Sequence, residues 1–167
     1  TARGIHIPSH RYLSINTRSL QKRHLKEVVG LAFMNQAAVF WHRKKHKDAT
    51  KLYEKAALFI KDDPLLNMFL GYNYLFSDQE AKGRALLKLL PSTPFEHACT
   101  KERAPEDFLQ GKIDIESLKV LYESVDETRE SVVKKKQELE RVTKKFPLFR
   151  DGHYHLATCY LQLSQLE

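Results

Sequence analysis

The chain has 167 residues, and 28 Lys and Arg against 21 Asp and Glu give a formal net charge of +7 at pH 7. A hydrophobic fraction of 42% argues against disorder, two cysteines exclude a disulfide scaffold or a four-cysteine zinc site, and no apolar run approaches the ~18 residues that cross a bilayer. We therefore expect a basic globular region in a reducing, cytoplasmic setting. Because the chain begins at Thr1 rather than at a Met, we also expect it to be part of a longer protein.

Helical periodicity dominates the first half of the chain, and period-two alternation is almost absent. Residues 1–18 are predicted to be an irregular lead-in. Residues 19–91 are predicted to form two helical hairpins, with a long first helix over about 19–44. Asp48 can cap the second helix, and the Asp62-Asp63-Pro64 stretch ends it and can start the third.

The second half of the chain is predicted to begin with a loop or insert over 92–115, with a short turn near 106–110. Residues 116–167 are predicted to form a helical hairpin followed by the first helix of a further unit. Polar residues interrupt the apolar stripe of 116–146, which favours a hairpin bent near 126–131; one long helix is the alternative. Pro147 ends this element, and Asp151 or Gly152 opens the last helix.

An internal repeat appears when the chain is shifted by 34 residues, which is the period of one class of helical repeat. Two pairs match small residues, two match bulky ones, and the fifth matches apolar residues at a buried position of the second helix of each unit. The matching pairs are Ala37 with Gly71, Phe40 with Tyr74, Ala49 with Gly83, Tyr53 with Leu87, and Ala56 with Leu90. Close helix packing needs small side chains where two helices touch, and bulky ones fill the gap to the next unit.

These positions resemble the tetratricopeptide repeat (TPR) family, over about residues 30–91. A partial third match follows Pro147, at Leu156, Ala157 and Tyr160. The resemblance implies an all-α fold, a right-handed stack of antiparallel helical hairpins (a TPR-like α-solenoid). It also implies a concave groove lined by the first helix of each unit.

The resemblance places an apolar and aromatic set of residues on that groove. Trp41 would lie on the groove and its neighbour Phe40 in the core. The predicted partner-binding residues are Met34, Ala38, Trp41 and His42 in unit one, Met68, Tyr72, Leu75 and Phe76 in unit two, and Tyr154, Thr158 and Leu161 on the last helix. The alternative is that another helix of this chain, or of sequence outside it, fills the groove; the N-terminal lead and the 116–146 hairpin are the candidates within the chain.

From these patterns we expect a non-catalytic protein–protein interaction module. It would bind a protein or peptide segment, and the basic rim favours an acidic partner. The basic clusters of the sequence are residues 42–47, 134–136 and 144–145. The alternatives are an accessory TPR-like region of a larger enzyme, a secretion-type chaperone, and a basic helical domain that binds RNA or anionic lipid. We expect nucleic acid to be the less suitable partner because aromatic residues are not interleaved with the basic clusters.

The sequence contains only weak candidates for a catalytic pair or a metal-binding pair. Cys99 and His97 lack an identifiable third residue that would orient the histidine for nucleophilic catalysis. His42 and His46 have the helical spacing of a zinc pair, but no Cys or acid completes a set nearby. The sequence therefore predicts no catalytic residue, no metal site and no cofactor.

Overall fold

The structure, a computed structural model, describes residues 24–90, 103–123, 126 and 128–165. The predicted lead-in 1–18, Cys99 and residues 92–102 of the predicted 92–115 insert lie outside these residues. Within them the regular structure is entirely helical. The helices are α1 Leu25–His42, α2 His46–Ala57, α3 Pro64–Phe76, α4 Glu80–Leu87, α5 Ala104–Leu109, α6 Ile115–Tyr122, α7 Arg129–Lys145 and α8 Arg150–Gln165. The expectation of an all-α fold is confirmed for this part of the chain.

The first four helices form two hairpins, α1 with α2 and α3 with α4, and α2 packs against α3. The two hairpin turns share one backbone geometry at positions 34 residues apart, with a φ of 58° at Lys44 and 62° at Asp78. Their hydrogen bonds are equivalent as well. The amide of Lys45 donates to the carbonyl of Phe40, and the amide of Gln79 donates to the carbonyl of Tyr74. The left-handed residue lets each chain reverse directly after its helix.

Small residues lie where the helices of each hairpin touch. Ala37 and Ala49 have no exposed surface in the first hairpin. In the second hairpin, a Cβ added at Gly83 would be 2.8 Å from the carbonyl oxygen of Gly71. The backbones of α3 and α4 therefore approach directly at this pair, as the repeat register predicts for position 71.

The second half of the described chain packs onto the end of the first half. Helix α6 contacts α3 and α7, and α7 pairs with α8. Asp114 caps α6 by accepting from the amide of Ser117 at 2.8 Å. Thr128 is the N-cap of α7. The interruption between α6 and α7 agrees with the predicted hairpin, and the alternative of one long helix over 116–146 is wrong.

Two predicted boundaries need correction. Helix α2 begins at His46, so Asp48 lies in its first turn and is not its cap. Helix α5 begins at Ala104, within the predicted loop. Its first amides, those of Arg103 and Ala104, both donate to Oδ2 of Asp151 at 2.7 Å. Asp151 therefore caps α5 from the first turn of α8, and its buried carboxylate explains why so short a helix forms.

Candidate functional site

Tyr122, the last residue of α6, fills the face that the repeat register assigns to the groove of the second hairpin. Its ring centroid lies 4.4 Å from that of Tyr72, and the two hydroxyl groups are hydrogen-bonded at 2.9 Å. The indole Nε1 of Trp41 donates to the backbone carbonyl of Tyr122 at 3.3 Å. One residue of α6 therefore holds α1 and α3 together.

Lys135 fixes the end of α6 from the neighbouring helix α7. Its ammonium donates to the carbonyl oxygens of Val120, Leu121 and Glu123, the last two at 3.0 and 2.8 Å. Only 8% of Lys135 is exposed, and burial lowers its pKa to about 8. The cation forms hydrogen bonds with carbonyl groups at the C-terminus of α6 and so fixes the position of Tyr122.

The predicted groove residues of unit two are consequently core residues. Tyr72 and Leu75 expose 0% and 1% of their surface, and Met68 is also buried. We correct the expectation that these three residues form an open binding face: α6 covers Tyr72, which is the self-filling alternative. Phe76 is buried too, but its ring lines the wall of a cavity that is described below.

The predicted residues of unit one line an open cavity of about 570 Å³, which we call the apolar cleft. Trp41 forms one wall of the cleft although it is buried, and Phe40, the expected core residue, is only half-buried and does not line the cleft. The apolar cleft is lined by Leu31, Met34, Asn35, Ala38, Trp41, His42, Tyr53, Leu65, Phe69 and Tyr122. All four predicted residues of unit one are thus brought together.

A second cavity of about 380 Å³, the charged pocket, lies beside it and shares Trp41 and Tyr122 as lining residues. Its other lining residues come from the start of α2, the end of α3, α6 and α7. They are Lys44, His46, Phe76, Glu116, Lys119, Val120, Glu123, Lys134 and Glu138. His42 lines the apolar cleft and His46 the charged pocket, so the predicted pair is divided between two cavities.

The predicted residues on the last helix belong to neither cavity. Tyr154 and Leu161 are 68% and 64% exposed, and Thr158 is exposed with its hydroxyl donating to the carbonyl of Tyr154. Cys159 lies on the other side of α8 and is buried. The structure therefore does not join the third predicted cluster to the first.

Several lining residues were not predicted from the sequence. Leu31 extends the α1 stripe by one turn from Met34 and could have been found by the same spacing. Leu65 and Phe69 of α3 line the apolar cleft although the repeat register assigns them no place on the groove. Tyr122 carries no local signal, because its role depends on where α6 packs.

Comparisons of the chain with protein-family models, with curated proteins and with solved structures found no match. In the part of the chain that the structure describes, no group of three or more His, Cys, Asp or Glu residues could hold a metal ion. Nor is any described helix long and apolar enough to span a membrane.

Proposed function

We propose that this chain is a TPR-like interaction module that binds a segment of a partner protein in the apolar cleft. The observation that carries the proposal is the cleft itself, which is an open concavity of about 570 Å³ lined mainly by apolar and aromatic side chains of the first two hairpins. Concave, mostly apolar surfaces with a few polar groups at the edge are typical of binding sites.

The TPR-like part of the proposal is supported by structural recurrence. Lys44 and Asp78 adopt the same left-handed conformation one repeat apart. Small residues lie at the contact in each hairpin, as Ala37 and Ala49 in one and Gly71 and Gly83 in the other. Much of the cleft is formed by α1, the first helix of the first of these hairpins.

The chemistry of the lining suits an apolar anchor residue from the partner. Met34 is a flexible, polarisable side chain that adapts to different shapes, and Trp41 and Phe69 offer ring surfaces that meet edge to face at 5.7 Å between centroids. Asn35 and His42 place polar groups at the edge, where they can bond a backbone. Aromatic anchors in such pockets commonly dominate binding energy.

A pair of neighbouring substitutions tests this proposal. Ala38→Arg places a long charged side chain into the cleft. Val39→Arg adds the same side chain one residue further, at a position that is 47% exposed and does not line the cleft. Both proteins should fold, which circular dichroism and thermal melting will check. Trp41→Ala is less suitable because that side chain is buried.

The binding assay uses a displayed library of random short peptides, selected on the unaltered protein. Peptides that bind the cleft should lose affinity for Ala38→Arg by about ten-fold or more, which corresponds to loss of one anchor, and should retain it for Val39→Arg. Equal affinity for both variants would refute the cleft as the binding site. Binding that instead follows salt concentration and exposed lysines alone would favour the RNA or lipid alternative.

A further inference from the structure

The charged pocket adjoins the apolar cleft directly, since Trp41 and Tyr122 line both. Its floor is aromatic. The rings of His46 and Phe76 lie 5.2 Å apart, and each lies within 5.7 Å of the Trp41 ring. A peptide side chain next to one seated in the cleft would therefore enter a pocket that has an aromatic base and charged walls.

The carboxylates of this pocket already have partners. Arg141 donates to Glu116 at 3.2 Å and to Glu138 at 2.8 Å. Glu123 forms an ion pair with Lys44. A carboxylate that is already satisfied has little need for an additional cation from a ligand.

Two of the three lysines that line the pocket differ from the carboxylates and from Lys44 in their ion pairing. Lys119 and Lys134 form no ion pair with a carboxylate anywhere in the described ranges, and the Lys119 ammonium lies 6.0 Å from the centre of the Phe76 ring. Burial lowers the pKa of His46, which disfavours its charged form. The available positive charge of the pocket is therefore held by two lysine side chains.

We infer that the charged pocket is a subsite for the carboxylate of an Asp or Glu residue that lies next to the apolar anchor of the partner segment, received by Lys119 and Lys134. This inference rests on the proposed function of the adjoining cleft. It assigns the acidic preference to these two lysines on α6 and α7, and not to the basic turn at 42–47, where Lys44 is already paired with Glu123. Carboxylates next to a desolvated aromatic surface form stronger bonds with cations than they do in open water.

The test uses two synthetic peptide pools as probes. Both contain a Leu or Phe at the centre, and the flanking positions carry Glu in one pool and Gln in the other. The double variant Lys119→Gln/Lys134→Gln is compared with Lys61→Gln/Lys88→Gln, which removes two exposed lysines that line neither cavity. The two variants have the same net charge, so long-range attraction is matched.

For the Glu pool, the variant in the pocket should lose about ten-fold or more in affinity while the control retains it, as expected for a charge-assisted bond. The Gln pool should bind both variants alike. Binding that Ala38→Arg abolishes but that the pocket variant leaves unchanged refutes the acidic subsite and leaves the cleft intact. If Ala38→Arg leaves peptide affinity unchanged, both the acidic subsite and the apolar cleft are refuted as binding sites. Equal losses in the two lysine variants would show a nonspecific charge effect and would overturn the assignment.

Discussion

The contact between Gly71 and Gly83 allows a quantitative prediction. A Cβ at position 83 would lie 2.6 Å from Cδ2 of Leu75 and 2.8 Å from the carbonyl oxygen of Gly71. Leu75 is only 1% exposed, so its side chain cannot swing into solvent, and a backbone carbonyl cannot move without its helix. Gly83→Ala must therefore push α3 and α4 apart.

The same substitution at position 71 requires a much smaller displacement of the neighbouring atoms. The added Cβ would meet Cδ2 and Cγ of Leu87 at 3.0 and 3.3 Å and the Gly83 carbonyl oxygen at 3.4 Å, so one side chain has to shift slightly and no backbone atom has to move. Overpacking costs ~1–3 kcal/mol, and a clash with a backbone carbonyl places Gly83→Ala in the upper part of that range, at ~2–3 kcal/mol. Replacing Gly with Ala inside a helix stabilises by ~1 kcal/mol. We expect a net loss of ~1–2 kcal/mol for Gly83→Ala and a change near zero for Gly71→Ala.

Urea unfolding monitored by circular dichroism measures both effects. The reverse substitution Ala85→Gly, at an exposed position of α4, measures the helix-propensity contribution in the same helix and allows it to be subtracted. A Gly83→Ala protein as stable as the unaltered one, or a Gly71→Ala protein less stable than Gly83→Ala, would refute the direct backbone approach. Gly71→Leu adds three more carbon atoms than Gly71→Ala does, and it should destabilise the protein more than either Ala variant.

Three further predictions concern the contacts made by α5 and α6. Lys135 has a pKa of about 8 in the folded chain, so between pH 8 and pH 10 the folded chain has released a proton that the unfolded chain still binds. The free energy of unfolding should therefore rise with pH by up to about 1.4 kcal/mol per pH unit. Lys135→Met should lack this rise in urea titrations at several pH values, and an equal rise in the variant would contradict the burial of Lys135. Asp151→Ala should lower the free energy of unfolding by ~0.5–2 kcal/mol through loss of the α5 cap, and an unchanged melting curve would exclude that cap. Tyr122→Phe should lower the free energy of unfolding by ~1 kcal/mol by breaking the hydroxyl pair with Tyr72, and an unchanged unfolding curve would contradict that bond. Tyr122→Ala should in addition shift Trp41 fluorescence to the red, and an unshifted spectrum would mean that α6 does not cover Trp41.

Local signals were sufficient for the helices of the first half. The spacing of apolar residues defines α1 to α4, and Asp63 with Pro64 marks the start of α3, where the carboxylate accepts from the amide of Leu66 at 2.9 Å. The turns were also predictable, because Ser77 and Asp78 interrupt the pattern. The break between α6 and α7 follows from polar residues in the apolar stripe.

The candidate site was predicted only in part, because its second wall comes from far along the chain. Met34, Ala38, Trp41 and His42 lie where the repeat register places them, but the bond from Trp41 to Tyr122 joins residues 81 positions apart. The spacing of apolar residues within a helix does not predict such a long-range contact. The same holds for α5, whose cap comes from a residue 47 positions away, and for Lys135, which occupies a position on the apolar stripe of α7 and finds its partners on another helix.

The covering of Tyr72 by Tyr122 has a consequence for synthesis of the chain on the ribosome. The two residues are 50 positions apart, and at about 5–20 residues per second the second emerges roughly 3–10 s after the first. Once Leu87, the last residue of α4, has also emerged, the two completed hairpins present an aromatic face that α6 has yet to cover. Transiently exposed apolar surface makes an incomplete chain prone to aggregate, and this exposure ends when α6 packs over Tyr72.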